Sequence, residues 1–202
     1  MRRATLLLVV LVASAAASAA AARPLEPWTT HRAPTAGFTV TAPSTWIDVT
    51  RLTPQVLARM KKNPALAGYL AVAQRTHAIK MILADAGPRT IVNHYATTCN
   101  VAQVPTIGDL RLARDATVAE LKATGLVRGQ IRTSSVRLPA GPAMELRYQE
   151  QVSPTSPTVL LEQFLFVRNG TATALSYATL PKLASSELPV FLRGARSFRF
   201  TS

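Results

Sequence analysis

Residues 141–178 constrain the fold more than any other stretch. They read GPAMELRYQEQVSPTSPTVLLEQFLFVRNGTATALSYA, three apolar segments separated by two turn signals. The first turn, SPTSP at 153–157, collects residues that break a ladder and open a loop. The second, Asn169-Gly170, is the strongest short-range hairpin signal, because both residues tolerate positive φ. Alternation puts Met144, Leu146 and Tyr148 on one face and Glu145, Arg147 and Gln149 on the other. Residues 159–167 are apolar at nearly every position, which predicts a central strand covered on both faces. Glu162 interrupts that run, and Arg147 on the neighbouring strand is its expected partner. Such strands persist only if the rest of the chain supplies lids.

The N-terminal residues read as an address. Arg2 and Arg3, the apolar run Thr5 to Val12 and an Ala/Ser tract are the three parts of a secretory signal peptide. The apolar run falls short of the about 20 residues needed to span a bilayer. Cleavage is expected after Ala22, leaving a Pro-rich lead over 23–36 and one domain over 37–202. The localisation this predicts is secreted, with cell-envelope association. No cysteine ends the apolar run, so a lipid there has no acceptor. The one cysteine, Cys99, has no partner for an internal bridge and reads as a small buried residue.

Charge narrows the partners. The formal net charge of +13 falls to +11 once Arg2 and Arg3 are removed, and eighteen of the 23 basic residues are Arg. They are scattered along the chain, whereas nucleic-acid binders concentrate charge on one face or helix. No nucleic-acid partner is expected. Contact with an anionic envelope surface, through acidic lipids or polymers, is the natural consequence of the charge.

Elsewhere the pattern predicts a strand at 38–42, ended by Pro43 with Trp46 plugging the core edge, and helices over 54–62 and 64–80. Strands are expected at 79–83, or a continued helix there, and within 91–104; a helix over 107–124 ends at Gly125. In the strand at 130–138 the apolar parity changes between Ile131 and Val136, suggesting a bulge near Ser134-Ser135. A short helix over 185–196, with Pro189 in its first turn, and an edge strand at 197–200 close the chain.

Chemistry-bearing patterns are sparse. The three histidines, His31, His77 and His94, are dispersed, and no His/Cys spacing suits a metal. There is no nucleophile elbow, phosphate-cradling Gly-rich loop or dinucleotide fingerprint. Glu145, Glu150 and Glu162 lie on adjoining strands, but Arg147 and Arg168 point to ordinary cross-strand ion pairs. No catalytic residue, metal or cofactor is expected.

Phe38-x-Val-x-x-Pro43-x-x-Trp46, GPAMELRY at 141–148, EQFLFVRNG at 162–170, ALSY at 174–177 and Phe191-x₅-Ser197-Phe198-Arg199 together resemble PsbP-like domains. The likeness is nearest to the envelope-located LpqN/LpqT-type proteins of high-GC Gram-positive bacteria. It implies an α+β fold, an α/β/α sandwich with a central antiparallel sheet flanked by helices. It also implies a non-enzymatic binding or assembly role, with an envelope lipid or protein as partner. If the helices at 54–80 lid the sheet over an apolar pocket, Trp46, Tyr69 and Phe164 are its candidate walls. Two other readings stay open at this point: a small exported hydrolase using carboxylate acid/base chemistry, and an electrostatic adhesin for anionic envelope polymers.

Overall fold

The structure, a computed structural model, describes residues 27–50, 78–87 and 95–201. The helix expected over 54–62, nearly all of that over 64–80, Tyr69, His77 and His94 lie outside the described residues.

In chain order the elements are β1 (Trp28–Ala33), β2 (Phe38–Pro43), β3 (Trp46–Asp48), β4 (Ile79–Asp85), β5 (Thr98–Pro105) and α1 (Leu110–Ala123). Then follow β6 (Val127–Leu138), β7 (Gly141–Glu150), β8 (Val159–Arg168), β9 (Thr171–Thr179), α2 (Ala184–Ser197) and β10 (Arg199–Phe200). Seven strands make one antiparallel sheet in the order β3-β4-β5-β9-β8-β7-β6. A smaller sheet has the order β1-β2-β10. The predicted α+β fold, a central antiparallel sheet with a helix on either face, is the one observed.

Both turns within 141–178 form as their chemistry dictates. Asn169 (φ 50°) and Gly170 (φ 69°) link β8 to β9 in the left-handed conformation, whose twist matches the flanking strands. In the other turn the Ser153 and Ser156 hydroxyls each accept from the other's backbone amide, at 3.1 and 2.9 Å. β8 lies between β7 and β9 and is buried at every position from Val159 to Phe166, as its unbroken apolar run predicted.

Each face of the large sheet has its own lid. On one face, α2 and the small sheet pack Phe38, Val40, Phe191 and Phe198 against Phe164, Phe166, Leu175 and Tyr177. Phe198 lies 5.4 Å from both Phe38 and Phe166, ring centre to ring centre. Each fully buried ring contributes about 2 kcal/mol through removal from water. On the other face, α1 sets Leu121 against Leu146, Tyr148, Leu161 and Leu165.

α1 ends where its sequence suggested but begins at Leu110, three residues later than the expected start at 107. Asp109 proves to be the N-cap itself, accepting from Leu112 N at 2.9 Å, and Gly125 follows the C-cap at φ 66°. α2 is entered from a 3-10 turn (Pro181–Leu183) without a side-chain cap. Its far end is tied to the small sheet, because Ser197 Oγ donates to Gly194 O at 2.6 Å and accepts from Thr41 N at 2.8 Å.

Several expectations are corrected. Ile79–Asp85 is a strand pairing with β5, so a helix does not continue through 79–80. Trp28–Ala33, within the stretch read only as a Pro-rich lead, is a strand of the small sheet. The closing strand lies at a sheet edge as expected, that of the small sheet, but spans only Arg199–Phe200. Pro189 is the sixth residue of α2 rather than part of its first turn.

The expected bulge near Ser134-Ser135 is absent, since β6 pairs with β7 without a break from Arg132↔Arg147 to Leu138↔Gly141. The parity change has another cause. Ile131 packs toward the α1 side while Val136 and Leu138 pack toward the α2 side, so two lids collect opposite faces of one strand. The irregularity lies earlier: four residue steps on β6, Arg128 to Arg132, stand against two on β7, Gln149 to Arg147.

Candidate functional site

Register turns separate residues into one continuous row. Arg132, Arg147, Glu162, Tyr177, Cys99 and Leu83 are successive partners across β6, β7, β8, β9, β5 and β4. Directly opposed residues share a face, so this row runs from a charged open edge to the buried core. The next row repeats the gradient: Ser134, Glu145, Phe164, Leu175, Val101.

Where the rows change from charged to apolar, three side chains lock together. Arg147 Nη2 donates to Glu162 Oε1 at 2.7 Å and to Glu145 Oε1 at 3.0 Å. Ser134 Oγ donates to Glu145 Oε2 at 2.8 Å. The side chains are 39% (Arg147), 20% (Glu145) and 3% (Glu162) exposed, so the cluster becomes drier from β7 to β8.

That gradient separates the two carboxyl groups. Burial, followed by the adjoining Glu145, pushes Glu162 up to about 7 against the opposing pull of Arg147. Glu162 Oε2 is buried and accepts no hydrogen bond from a described residue. Burial alone would raise Glu145 as well. Hydrogen bonds from Glu162 and Ser134, with the charge and hydrogen bond of Arg147, outweigh it and hold Glu145 below the usual range. The third carboxylate, Glu150, has the opposite strand parity and points to the α1 side, where burial pushes it up to about 7. Arg168 lies elsewhere, 5.3 Å over the Phe200 ring.

Beside the cluster is a groove of about 420 Å³. Its walls include Arg128, Arg132, Arg147, Gln130, Gln149 and Leu160, with no carboxylate among the described lining residues. The β6 irregularity opens it: residues 129–131 have no partner on β7, and Gly129 supplies the positive φ of 76°. Arg128 is steadied by donating to Gly125 O at 3.0 Å and to Gln151 Oε1 at 3.3 Å.

Of the three candidate pocket walls, Trp46 and Phe164 lie among the described residues. Trp46 and Phe164 are 2% and 1% exposed and belong to one core cluster. Their rings meet the same residue, Tyr177, at 6.5 and 6.4 Å between centres. Tyr177 in turn stacks on Phe191 of α2 at 4.8 Å. Tyr69 lies outside the described residues.

Cys99 is buried across from Tyr177, and its burial pushes the thiol up to about 12, which suppresses the nucleophilic thiolate. His31 is on β1, its pKa lowered by burial against the raising influence of Asp48. Among the described residues no three His, Cys, Asp or Glu side chains could hold a metal ion. None of their helices is long and apolar enough to cross a membrane. Sequence reasoning found the Arg147–Glu162 contact but missed the groove. The strand expected at 130–138 left Arg128 outside it, and the two-residue offset carried no distinct signal beyond Gly129.

No protein-family model matches the chain, and no curated protein matches its sequence. Solved structures do resemble it. Cyanobacterial PsbP (CyanoP) from Synechocystis sp. PCC 6803 aligns at TM-score 0.52 and 12% identity, over 91% of this chain and 98% of that one. The Saccharomyces cerevisiae Ran-binding protein Mog1p aligns at 0.53 and 12%, over 88% and 97%. LpqN of Mycobacterium tuberculosis, involved in cell envelope biogenesis, aligns at 0.51 and 12%, over 89% and 87%. At such identities the likeness concerns architecture alone. The chain has the PsbP/Mog1-like fold.

Proposed function

We propose that this protein is an exported, non-catalytic binding or interaction module of the bacterial cell envelope. The observation that carries the non-catalytic part is the clamp on Arg147 Nη2, which engages Glu162 at 2.7 Å and Glu145 at 3.0 Å. Both carboxylates are committed to one guanidinium, while the adjoining groove offers arginine and glutamine side chains. That inventory suits recognition of a ligand better than proton transfer to one. The secretory pattern of residues 1–22 supports export. The shared architecture with LpqN, a protein involved in cell envelope biogenesis, supports the envelope by analogy.

Native mass spectrometry of the protein from the culture supernatant and envelope fractions of its own cells tests this reading. A chain starting near Arg23 with a co-purifying lipid or protein is the expected result. A full-length chain confined to the cytosol would overturn it.

Carboxylate acid/base hydrolysis is the second reading. Its support is the split of Glu162 to about 7 and Glu145 below its usual range, a pattern seen in acid/base pairs. Esterase and glycosidase activity abolished by Glu145→Gln and by Glu162→Gln would favour it over binding.

A further inference from the structure

We infer that the groove between β6 and β7 is a binding site for a phosphodiester anion carried on a polar headgroup. The inference rests on the reading of the chain as a binding module and names the ligand class of that module.

Four observations converge. First, Arg132 stands directly opposite Arg147 on the same face, and like charges so placed repel unless an anion intervenes. Second, the positive charges of the groove are unequally compensated. Arg147 is paired with Glu145 and Glu162, whereas Arg128 donates only to neutral oxygens and Arg132 makes no ion pair among the described residues. Third, both glutamates hold Arg147 through Nη2, which leaves Nη1 without a partner among the described residues. An arginine steadied from behind presents its remaining donors at reduced entropic cost, and its planar geometry suits phosphate oxygens. Fourth, the space is about 420 Å³, more than a bare phosphate fills. Gln130 and Gln149 beside the arginines are suited to hydroxyl groups on the rest of a headgroup.

The edge position offers a plainer role for these arginines, since charge on an open strand discourages edge-to-edge pairing. That role needs no groove and treats every exposed arginine of the edge alike. Arg137 is the internal comparison: it lies on the same strand but has the opposite parity to Arg128 and Arg132.

The test uses two probes on the purified chain. Calorimetry measures binding of soluble glycerophosphoglycerol, and flotation measures binding to phosphatidylcholine vesicles with or without phosphatidylglycerol. The Arg128→Gln/Arg132→Gln variant is compared with Arg111→Gln/Arg137→Gln, which removes equal charge at two exposed positions outside the groove. All variants are first checked for unchanged unfolding temperature. The groove variant is expected to lose about tenfold in affinity, the scale of one or two charged hydrogen bonds, while the control loses little. Binding of the soluble headgroup identifies a soluble or polymeric source. Binding only to phosphatidylglycerol vesicles identifies a lipid headgroup source.

Equal losses in the two variants would overturn the site, because net charge alone would then explain the binding. Binding of neither probe would overturn it as well. In either case a co-purifying envelope partner in the native mass spectrum would leave the broader reading standing.

Discussion

Arg147 and Glu162 show how one buried charge depends on a half-exposed partner. Removing the guanidinium leaves Glu162, 3% exposed, without compensation when it ionises. Arg147→Gln should therefore cost about 2 kcal/mol at pH 8, below the roughly 3–5 kcal/mol of a fully buried broken pair because the arginine is itself partly solvated. The cost should shrink at pH 5, where Glu162 is already protonated; equal costs at both pH values in urea unfolding would refute this account. Glu150 provides an independent pH term on the other face. Its folded pKa, about 7, lies above the unfolded value of about 4.3. Its stabilising contribution is therefore complete below the unfolded pKa and is lost as pH rises through about 7. Glu150→Gln, which stays neutral, should recover about 3 kcal/mol at pH 8 and almost nothing at pH 4. Unfolding curves at the two pH values check the difference.

At the scale of elements, the contact between α2 and the large sheet depends on an absent side chain. A Cβ on Gly194 would overlap the Tyr177 hydroxyl, with the ring carbon bearing it 3.2 Å away. Gly194→Ala should thus destabilise the fold by about 2 kcal/mol through overpacking, despite alanine's better helix propensity. Tyr177→Phe in the same chain removes the overlapping oxygen and should restore part of the loss. A thermal-unfolding double-mutant cycle that shows simple additivity would refute the contact. The element most legible in advance was β8, because burial on both faces leaves an unbroken apolar run. β6 was misread because two different lids draw on its two faces, which mimics a fault near 134–135 where its pairing is continuous. β4 was ambiguous for a related reason: IKMILAD is apolar enough for either a buried strand or a helix end, and only its pairing with β5 decides.

Across the molecule, the coupling of groove and carboxylate pair predicts a pH-dependent affinity. Glu162 faces Arg147 and Glu145, with Arg132 beyond them on β6 and Tyr177 beside it on β9. As pH falls through about 7, Glu162 loses its negative charge and the arginines face an anion with less compensation. Binding to phosphatidylglycerol vesicles should therefore strengthen from pH 8 to pH 6, with the phosphodiester charge unchanged, and weaken with added salt. A flat pH profile in flotation would separate the groove from the glutamates.

Much of this architecture is local in origin and could be read directly from residue order. Asn169-Gly170 turns because both residues accept positive φ, Gly125 ends α1 for the same reason, and the apolar periods mark which segments need cover. Those are properties of a few neighbouring residues. Which cover arrives, and which charges meet, depends on pairing between segments far apart in the chain. Arg132, Arg147 and Glu162 become one row through the register of three strands, and the offset of two residues on β6 opens the groove beside them. Trp46 and Phe164, named as pocket walls on the expectation that helices at 54–80 lid the sheet, converge on Tyr177 because strand pairing and α2 bring them to one core. Hydrophobic period specifies a face, but register, set by long-range burial and hydrogen bonding, specifies the neighbours on that face.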